Sequence, residues 1–189
     1  MRMYIFAVMA ALAGTPAFAD EFQPVLEAFL DAEIRSWSQS GEIVSAIRAQ
    51  NAENANMNQD DILQLDGALR SEIGMAVTPT IDPVLGHAAS DFLRARVGAS
   101  NGRITEVFIM DAHGLNVASS GLTSDMWQGD EAKFTETFAA GAGAVHFSEV
   151  QLDESTQRYQ AQISVTIVDP DTGEPIGAMT VGVDAEALL

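Results

Sequence analysis

The chain contains no cysteine. That excludes a disulfide scaffold, a thiolate metal site and a thiol nucleophile, and leaves the hydrophobic core to hold the fold without covalent help. Positive charge is almost as scarce: nine Lys and Arg stand against 27 Asp and Glu, for a net charge of −18. The acids are spread along the chain rather than gathered in one block, the pattern of a solvated, self-repelling surface. Nucleic acid and anionic membrane surfaces are poor partners for it, because both are bound through clustered cations. After residue 19 no apolar run approaches the ~20 residues that span hydrocarbon. Nucleophile and zinc-protease motifs are missing as well: there is no Gly-x-Ser-x-Gly, Ser-x-x-Lys or His-Glu-x-x-His. The three histidines, His87, His113 and His146, fall in a predicted helix, a turn and a strand start, none beside a recognisable nucleophile. With no dinucleotide or phosphate Gly-loop either, the expectation is a protein that is not an enzyme and carries no cofactor and no metal.

What is present begins with an export pattern. Met1-Arg-Met-Tyr4 carries one positive charge, Ile5 to Gly14 is an unbroken small-apolar run, and Ala17-Phe-Ala19 precedes Asp20-Glu21. This reads as a cleaved secretory signal peptide over residues 1–19, and places the protein in the periplasm. Residues 20–189 have the length of one domain, which buries roughly 70% of its unfolded surface.

Residues 20–102 read as a helical support. Phe22, Val25, Leu26, Phe29, Leu30, Ile34 and Trp37 recur at three- and four-residue intervals, predicting an amphipathic helix from Phe22 to about Gln50. Pro24 is assigned to its first turn, and a kink or restart is expected near Ser38 to Gly41. Asn58-Gln-Asp-Asp61 offers N-cap residues for a second helix, Ile62 to Ile73. Gly74 to Pro83 reads as an extended connector, and a third helix is predicted over Val84 to Val97 before the breakers Gly98 to Gly102.

Residues 103–189 read as a sheet. Glu106 to Met110 enters a tight Asp111-Ala-His-Gly114 turn and Leu115 to Ala118 leaves it, which predicts a hairpin. A helix over Glu131 to Ala139, capped by Asp130, precedes strands at Val145 to Gln151, Arg158 to Val168 and Ile176 to Val183. In the second of these, Tyr159, Ala161, Ile163, Val165 and Ile167 share one face and Gln160, Gln162, Ser164 and Thr166 the other. The first face is core; the second suits either solvent or a pocket for a small polar ligand. Asp169-Pro-Asp-Thr-Gly-Glu174 resembles a short oxygen-ligand loop but lacks the ligand series of an EF-hand, and is read as a turn. Trp127-Gln-Gly-Asp-Glu131 has two readings. It is either a capped helix start with a Trp lid, or an aromatic wall beside an acid, suited to a polar or cationic ligand.

At these residues the sequence resembles the single Cache domains, PAS-like extracytoplasmic sensor modules. The resemblance rests on Val107-Phe-Ile-Met-Asp111, Gly114 to Ser120, Thr123 to Phe134, Asp153-Glu-Ser-Thr156, Tyr159-Gln160 and Ile176-Gly177, in that order. It is nearest to stand-alone periplasmic members with a Thr-Ser-Asp-aromatic-Trp-Gln-Gly-Asp-Glu motif, whose aromatic position is Met126 here. The resemblance implies an α+β fold: a PAS-like, five-stranded antiparallel sheet with a long N-terminal amphipathic helix and additional helices. It implies a small-molecule ligand, of the organic acid, amino acid or amine class. The contact residues it implies are Ser120, Trp127, Gly129 and Asp130 on one side, and Gln162 and Ser164, or the Tyr159 face, on the other. A membrane receptor or histidine kinase is the implied partner, with a homodimer through the N-terminal helix by analogy. The chain stops six residues after the last predicted strand, so no output module of its own is expected. The alternative is a docking module without ligand, in which Trp127 is core.

Overall fold

A computed structural model describes residues 19–153 and 158–189. The predicted secretion signal lies outside the described residues apart from Ala19, and so does the Glu154-Ser-Thr156 part of the motif string. The N-terminal arm runs as α1 (Ala19–Phe29), a wide π-helical turn over Leu30–Ile34, α2 (Arg35–Ser38) and α3 (Gly41–Glu53). The restart falls where the sequence weakens: Ser40 is extended, with ψ at 156°, and its carbonyl accepts from the Ile43 and Val44 N–H groups to start α3. Pro24 stands inside α1 rather than in its first turn, because the helix begins at Ala19.

Helix α4 (Gln59–Glu72) opens with a reciprocal cap. The Asn58 side chain accepts from the Asp60 and Asp61 N–H groups, and the Asp61 carboxylate accepts from the Asn58 N–H, an arrangement worth ~1 kcal/mol. Its predicted last residue, Ile73, has left the helix and is exposed. The connector ends sooner than its prolines suggest, since α5 spans Ile81–Leu85. Glu72 explains this: its carboxylate accepts from the Thr80 and Ile81 N–H groups, satisfying donors that a helix start leaves orphaned. The single helix predicted over Val84 to Val97 is divided. His87 is extended and its Nδ1 accepts from the Ala89 N–H, so α6 (Ala88–Ala99) starts anew.

Strands β1 (Ile104–Met110), β2 (Asn116–Ser119), β3 (Val145–Phe147), β4 (Gln151–Asp153), β5 (Arg158–Val168) and β6 (Pro175–Asp184) form one antiparallel sheet in the order β2-β1-β6-β5, with β3 and β4 both on the outer side of β5. The sheet thus has five positions, and the fifth is shared. The strand predicted from Val145 to Gln151 is interrupted between Phe147 and Gln151. β3 pairs with the Ile163–Val165 stretch of β5, and β4 with Arg158–Gln160.

The main core lies between one sheet face and the helices. Leu26, Phe29, Ile34, Trp37, Ile43, Ile47 and Leu93 meet Val107, Ile109, Ile163, Val165, Ile167, Val181 and Val183; each such burial contributes about 1.5–3 kcal/mol. A satellite cluster, Ile62, Leu69, Ile81, Val84, Leu115 and Met126, fastens α4 and α5 to the hairpin.

The second sheet face is also covered. Phe108, Met110 and Ala178 lie under Phe134 of α7 (Ala132–Thr135) and Phe138 of the 3-10 turn Phe138–Ala140, two rings stacked 5.0 Å apart. The polar side chains beneath are satisfied in place: Ser164 Oγ is 2.9 Å from Thr180 Oγ1, and Thr166 Oγ1 donates to the Gly141 carbonyl at 2.9 Å.

Candidate functional site

At the β5 rim the cover stops short and leaves a hollow of about 500 Å3. Three pieces of chain wall it. Glu131 comes from the segment that follows the hairpin; Ser148, Glu149, Gln151 and Leu152 come from the interrupted outer strand; Gln160, Ala161 and Gln162 come from β5. The period of two puts Gln160 and Gln162 on the same side of β5 as Ser164, while Ala161 belongs to the core on the other. The break between β3 and β4 is held by Ser148, whose hydroxyl accepts from the Gln162 N–H at 2.8 Å and donates to the Glu149 carbonyl at 3.0 Å. Gln162 Nε2 donates to Glu106 Oε1 at 3.3 Å. Lys133 Nζ lies 3.0 Å from Glu131 Oε2 and donates to Gln128 Oε1 at 3.1 Å. The lining is therefore mainly carboxylate, amide and hydroxyl, with Leu152 and Ala161 its two aliphatic residues, a surface that recognises hydrogen-bonding groups in volume enough for a metabolite-sized molecule.

The residues singled out in the sequence divide between the two ends of the sheet. Gln162 lines the hollow. Ser164, two residues further along the same face, is fully buried under the α7 cover. Tyr159 is on the core-side face but past its end, and is 46% exposed. Asp130 is exposed, next to Glu131. It does not cap the following helix: Glu131 occupies that position and α7 runs only to Thr135.

Trp127 and Gly129 belong to the opposite rim. Trp127 bridges to Leu115 beside β2, its indole Nε1 donates to the His113 carbonyl at 2.9 Å, and its backbone N–H donates to Asp66 Oδ1 at 3.1 Å. Gly129 lies under that indole, where a Cβ would collide with the ring nitrogen. Ser120 Oγ accepts from the Val107 N–H at 2.9 Å. Trp127 and Gly129 are thus tied to the hairpin turn, away from Gln162. Met126, at the motif's aromatic position, is buried in the satellite cluster.

The residues that sequence reasoning passed over are Glu131, Ser148, Glu149, Gln151 and Leu152. The Gln160/Gln162 alternation marks the strand face that borders the hollow. What it lacked was the interruption in the outer strand that brings Ser148 and Glu149 round to it.

Two other groups have the look of sites and are filled from within. The Asp169–Glu174 turn receives a guanidinium: Arg48 pairs with Asp169 and with Asp171, the latter at 2.7 Å. The side-chain hydrogen bond from Arg48 is the main reason the Asp169 carboxyl sits below its ordinary range, and the two acids raise Arg48 in turn. Among the described residues no group of His, Asp and Glu is arranged to hold a metal. Asp111 is fully buried in the hairpin turn. It accepts from the His113 and Leu115 N–H groups at 2.9 and 3.0 Å and from Gln50 Nε2 and Asn54 Nδ2 at 3.0 and 2.8 Å, locking α3 to the turn.

No family model matches the chain, and no curated protein does. Solved structures do. The chain is similar to the sensor domain of the V. cholerae histidine kinase DctB, with 16% identity and a TM-score of 0.52 over 91% of this chain and 55% of that one. It is also similar to the sensory domain of the Campylobacter jejuni chemoreceptor Tlp3 with isoleucine bound, at 19% identity and a TM-score of 0.42, covering 91% of this chain and 58% of that one. The ligand-binding domain of the Pseudomonas aeruginosa PAO1 amino acid chemoreceptor PctC, in complex with GABA, matches at 14% identity and a TM-score of 0.41, over 74% and 59%. The chain spans a little over half the length of these neighbours. The DctB likeness shows the fold, mixed helix and antiparallel sheet arranged as in that domain, as the residue pattern led one to expect.

Proposed function

We propose that this protein is a periplasmic sensor domain that takes a small polar ligand in the hollow at the β5 rim and passes the result to a membrane-bound partner, a receptor or histidine kinase. The observation that carries this reading is the hollow itself. A polar space of about 500 Å3, walled by the segment that follows the hairpin and by the sheet rim, lies within a Cache-like fold. Its volume falls in the ~300–1,000 Å3 range of small-molecule sites. In this proposal Gln162 and Glu131 touch the ligand, while Trp127 and Gly129 act at a distance, fastening the start of the 127–131 segment so that Glu131 is held in place. The organic acid, amino acid and amine classes all fit the size. The export pattern at residues 1–19 supports the periplasmic placement, and a homodimer along the N-terminal helical arm completes the proposed assembly.

The test is a thermal-shift screen of the purified protein against those three classes, repeated on Gln162→Ala. A ligand at ~100 times its Kd adds about 2.7 kcal/mol, and a domain of this size moves by ~2–4 °C per kcal/mol. A shift lost in Gln162→Ala supports the reading. No shift from any compound, in protein that mass spectrometry shows to be free of carried ligand, refutes it.

One observation favours the second reading, a docking module without ligand: the centre of the polar sheet face is packed with the protein's own Phe108, Met110, Phe134 and Phe138. Capture of a receptor ectodomain by protein that binds no small molecule would establish it.

A further inference from the structure

Resting on the reading of the β5-rim hollow as the ligand site, we infer that its ligand is an organic cation, an aliphatic amine or diamine, and not a free carboxylate. The lining supplies acceptors. Glu131 and Glu149 bring carboxylates, and Gln162, one of whose two amide N–H donors goes to Glu106 Oε1 at 3.3 Å, has a third carboxylate beside it on the same sheet face. None of the lining residues is basic.

Two cations on the flanking chain, Lys133 and Arg158, are already paired. Lys133, whose side chain is only 15% exposed, divides its donors between Glu131 Oε2 at 3.0 Å and Gln128 Oε1 at 3.1 Å, with the Phe108 ring 5.5 Å from its ammonium. Arg158, on β5 two residues before Gln160, pairs with Asp184, whose side chain is 1% exposed. Drawing that guanidinium away would strand a buried carboxylate, which costs far more than an exposed ion pair returns. A ligand carboxylate would therefore meet Glu149 without a counter-charge, and Glu131 with its one cation already shared with Gln128, on a chain whose net charge is already −18. An ammonium group meets the Glu131 and Glu149 carboxylates and the carbonyl oxygens that the Gln151 and Gln162 amides can turn to it. The cation is organic rather than metallic, since the described residues offer no metal-binding group.

The experiment is calorimetric titration of the purified protein with two four-carbon probes of opposite charge, 1,4-diaminobutane and succinate, against the wild type, Glu149→Gln and Gln162→Ala. Glu149 is exposed and its replacement leaves the core untouched. The diamine is expected to bind and succinate not to. Glu149→Gln should weaken the diamine about fivefold. Raising the ionic strength from ~0.01 to ~0.15 M, which shortens the screening length from ~30 to ~8 Å, should weaken it further.

Succinate binding that is lost in Gln162→Ala would overturn the inference and leave the hollow as the ligand site. Diamine binding indifferent to both substitutions would overturn it by moving the amine elsewhere. Binding of neither probe also overturns it. In that case the broader screen decides separately whether the hollow is a site at all.

Discussion

Replacing Asp111 by alanine should destabilise the protein by about 3–4 kcal/mol. The carboxylate is fully buried and receives four hydrogen bonds, two from backbone N–H groups of its own turn and two from α3 side chains. They are not equal losses. The Leu115 N–H is buried and has no water to turn to, so stranding it costs ~1–3 kcal/mol. His113 and Asn54 are half-buried and recover part of their loss from solvent, and Gln50 Nε2 keeps a long contact to the Asn116 carbonyl at 3.4 Å. These three together add about 1–2 kcal/mol. Relief of the burial of a charge offsets a little of the total.

At ~2–4 °C per kcal/mol the melting temperature should fall by about 6–16 °C. The assay is urea unfolding followed by tryptophan fluorescence, which yields a free energy and an m-value together. Asp111→Asn keeps the acceptor that faces the turn and should cost less than half as much. If Asp111→Ala unfolded within ~1 kcal/mol of the parent at an unchanged m-value, the account of the turn as the anchor of α3 would be wrong.

Gly177→Ala should be more damaging than a helix-surface Gly→Ala change of the same size, because the new Cβ runs into the Met110 carbonyl oxygen across the β1–β6 pair. Backbone cannot step aside as a flexible side chain can, so a loss of about 2 kcal/mol or more is expected in the same urea assay, with Gly67→Ala inside α4, where a Cβ meets open space and helix propensity favours alanine by up to ~1 kcal/mol, as the control that should lose nothing. The acid limb of stability should depend on Glu72. Burial pushes this carboxyl up, but the hydrogen bonds from Thr80 and from the Ile81 N–H outweigh it and hold it below its ordinary value. Asp184 is held down in the same way, its burial outweighed by Arg158 and by the Ala187 and Glu186 N–H groups. As pH falls the unfolded chain therefore binds these protons first, near ~4, and the stability they contribute at neutral pH is lost as pH drops through the lower folded values. The gap in unfolding free energy between wild type and Glu72→Gln should shrink between pH 7 and pH 3; a constant gap would sink the assignment.

Periodicity carried the fold a long way. Alternation over Tyr159 to Ile167 located β5 at its true length, and the four-residue spacing of Leu26, Leu30 and Ile34 located the helical face on the sheet. What it missed was decided by single polar side chains acting at a distance. Glu72 starts α5 before Pro83, and His87 restarts a helix that composition alone runs together. At the candidate site, Gln162 was legible as one of a row of amides on a strand. Glu131 and Glu149 were not, because nothing in Ser148-Glu149-Val150 distinguishes an interrupted strand from a continuous one. Trp127 drew attention because an indole among small polar residues is conspicuous. Its hydrogen bond to His113 and its contact with Gly129 depend on a chain reversal that spacing does not encode.

The interruption of the outer strand also bears on how copies of this molecule can meet. On that rim the sheet offers two runs of three residues, with a break between them. On the other rim, β2 is occupied at both of its ends: the Asn116 N–H donates to the Met126 carbonyl, and the Ser119 N–H to Ser90 Oγ at 3.0 Å. Edge-to-edge growth, the route by which exposed strands recruit one another into aggregates, needs a long unoccupied row of donors and acceptors. Neither rim supplies one among the described residues. Among the described residues, self-association falls to helices and side chains, where charge repulsion opposes it and a matched surface is needed to overcome it.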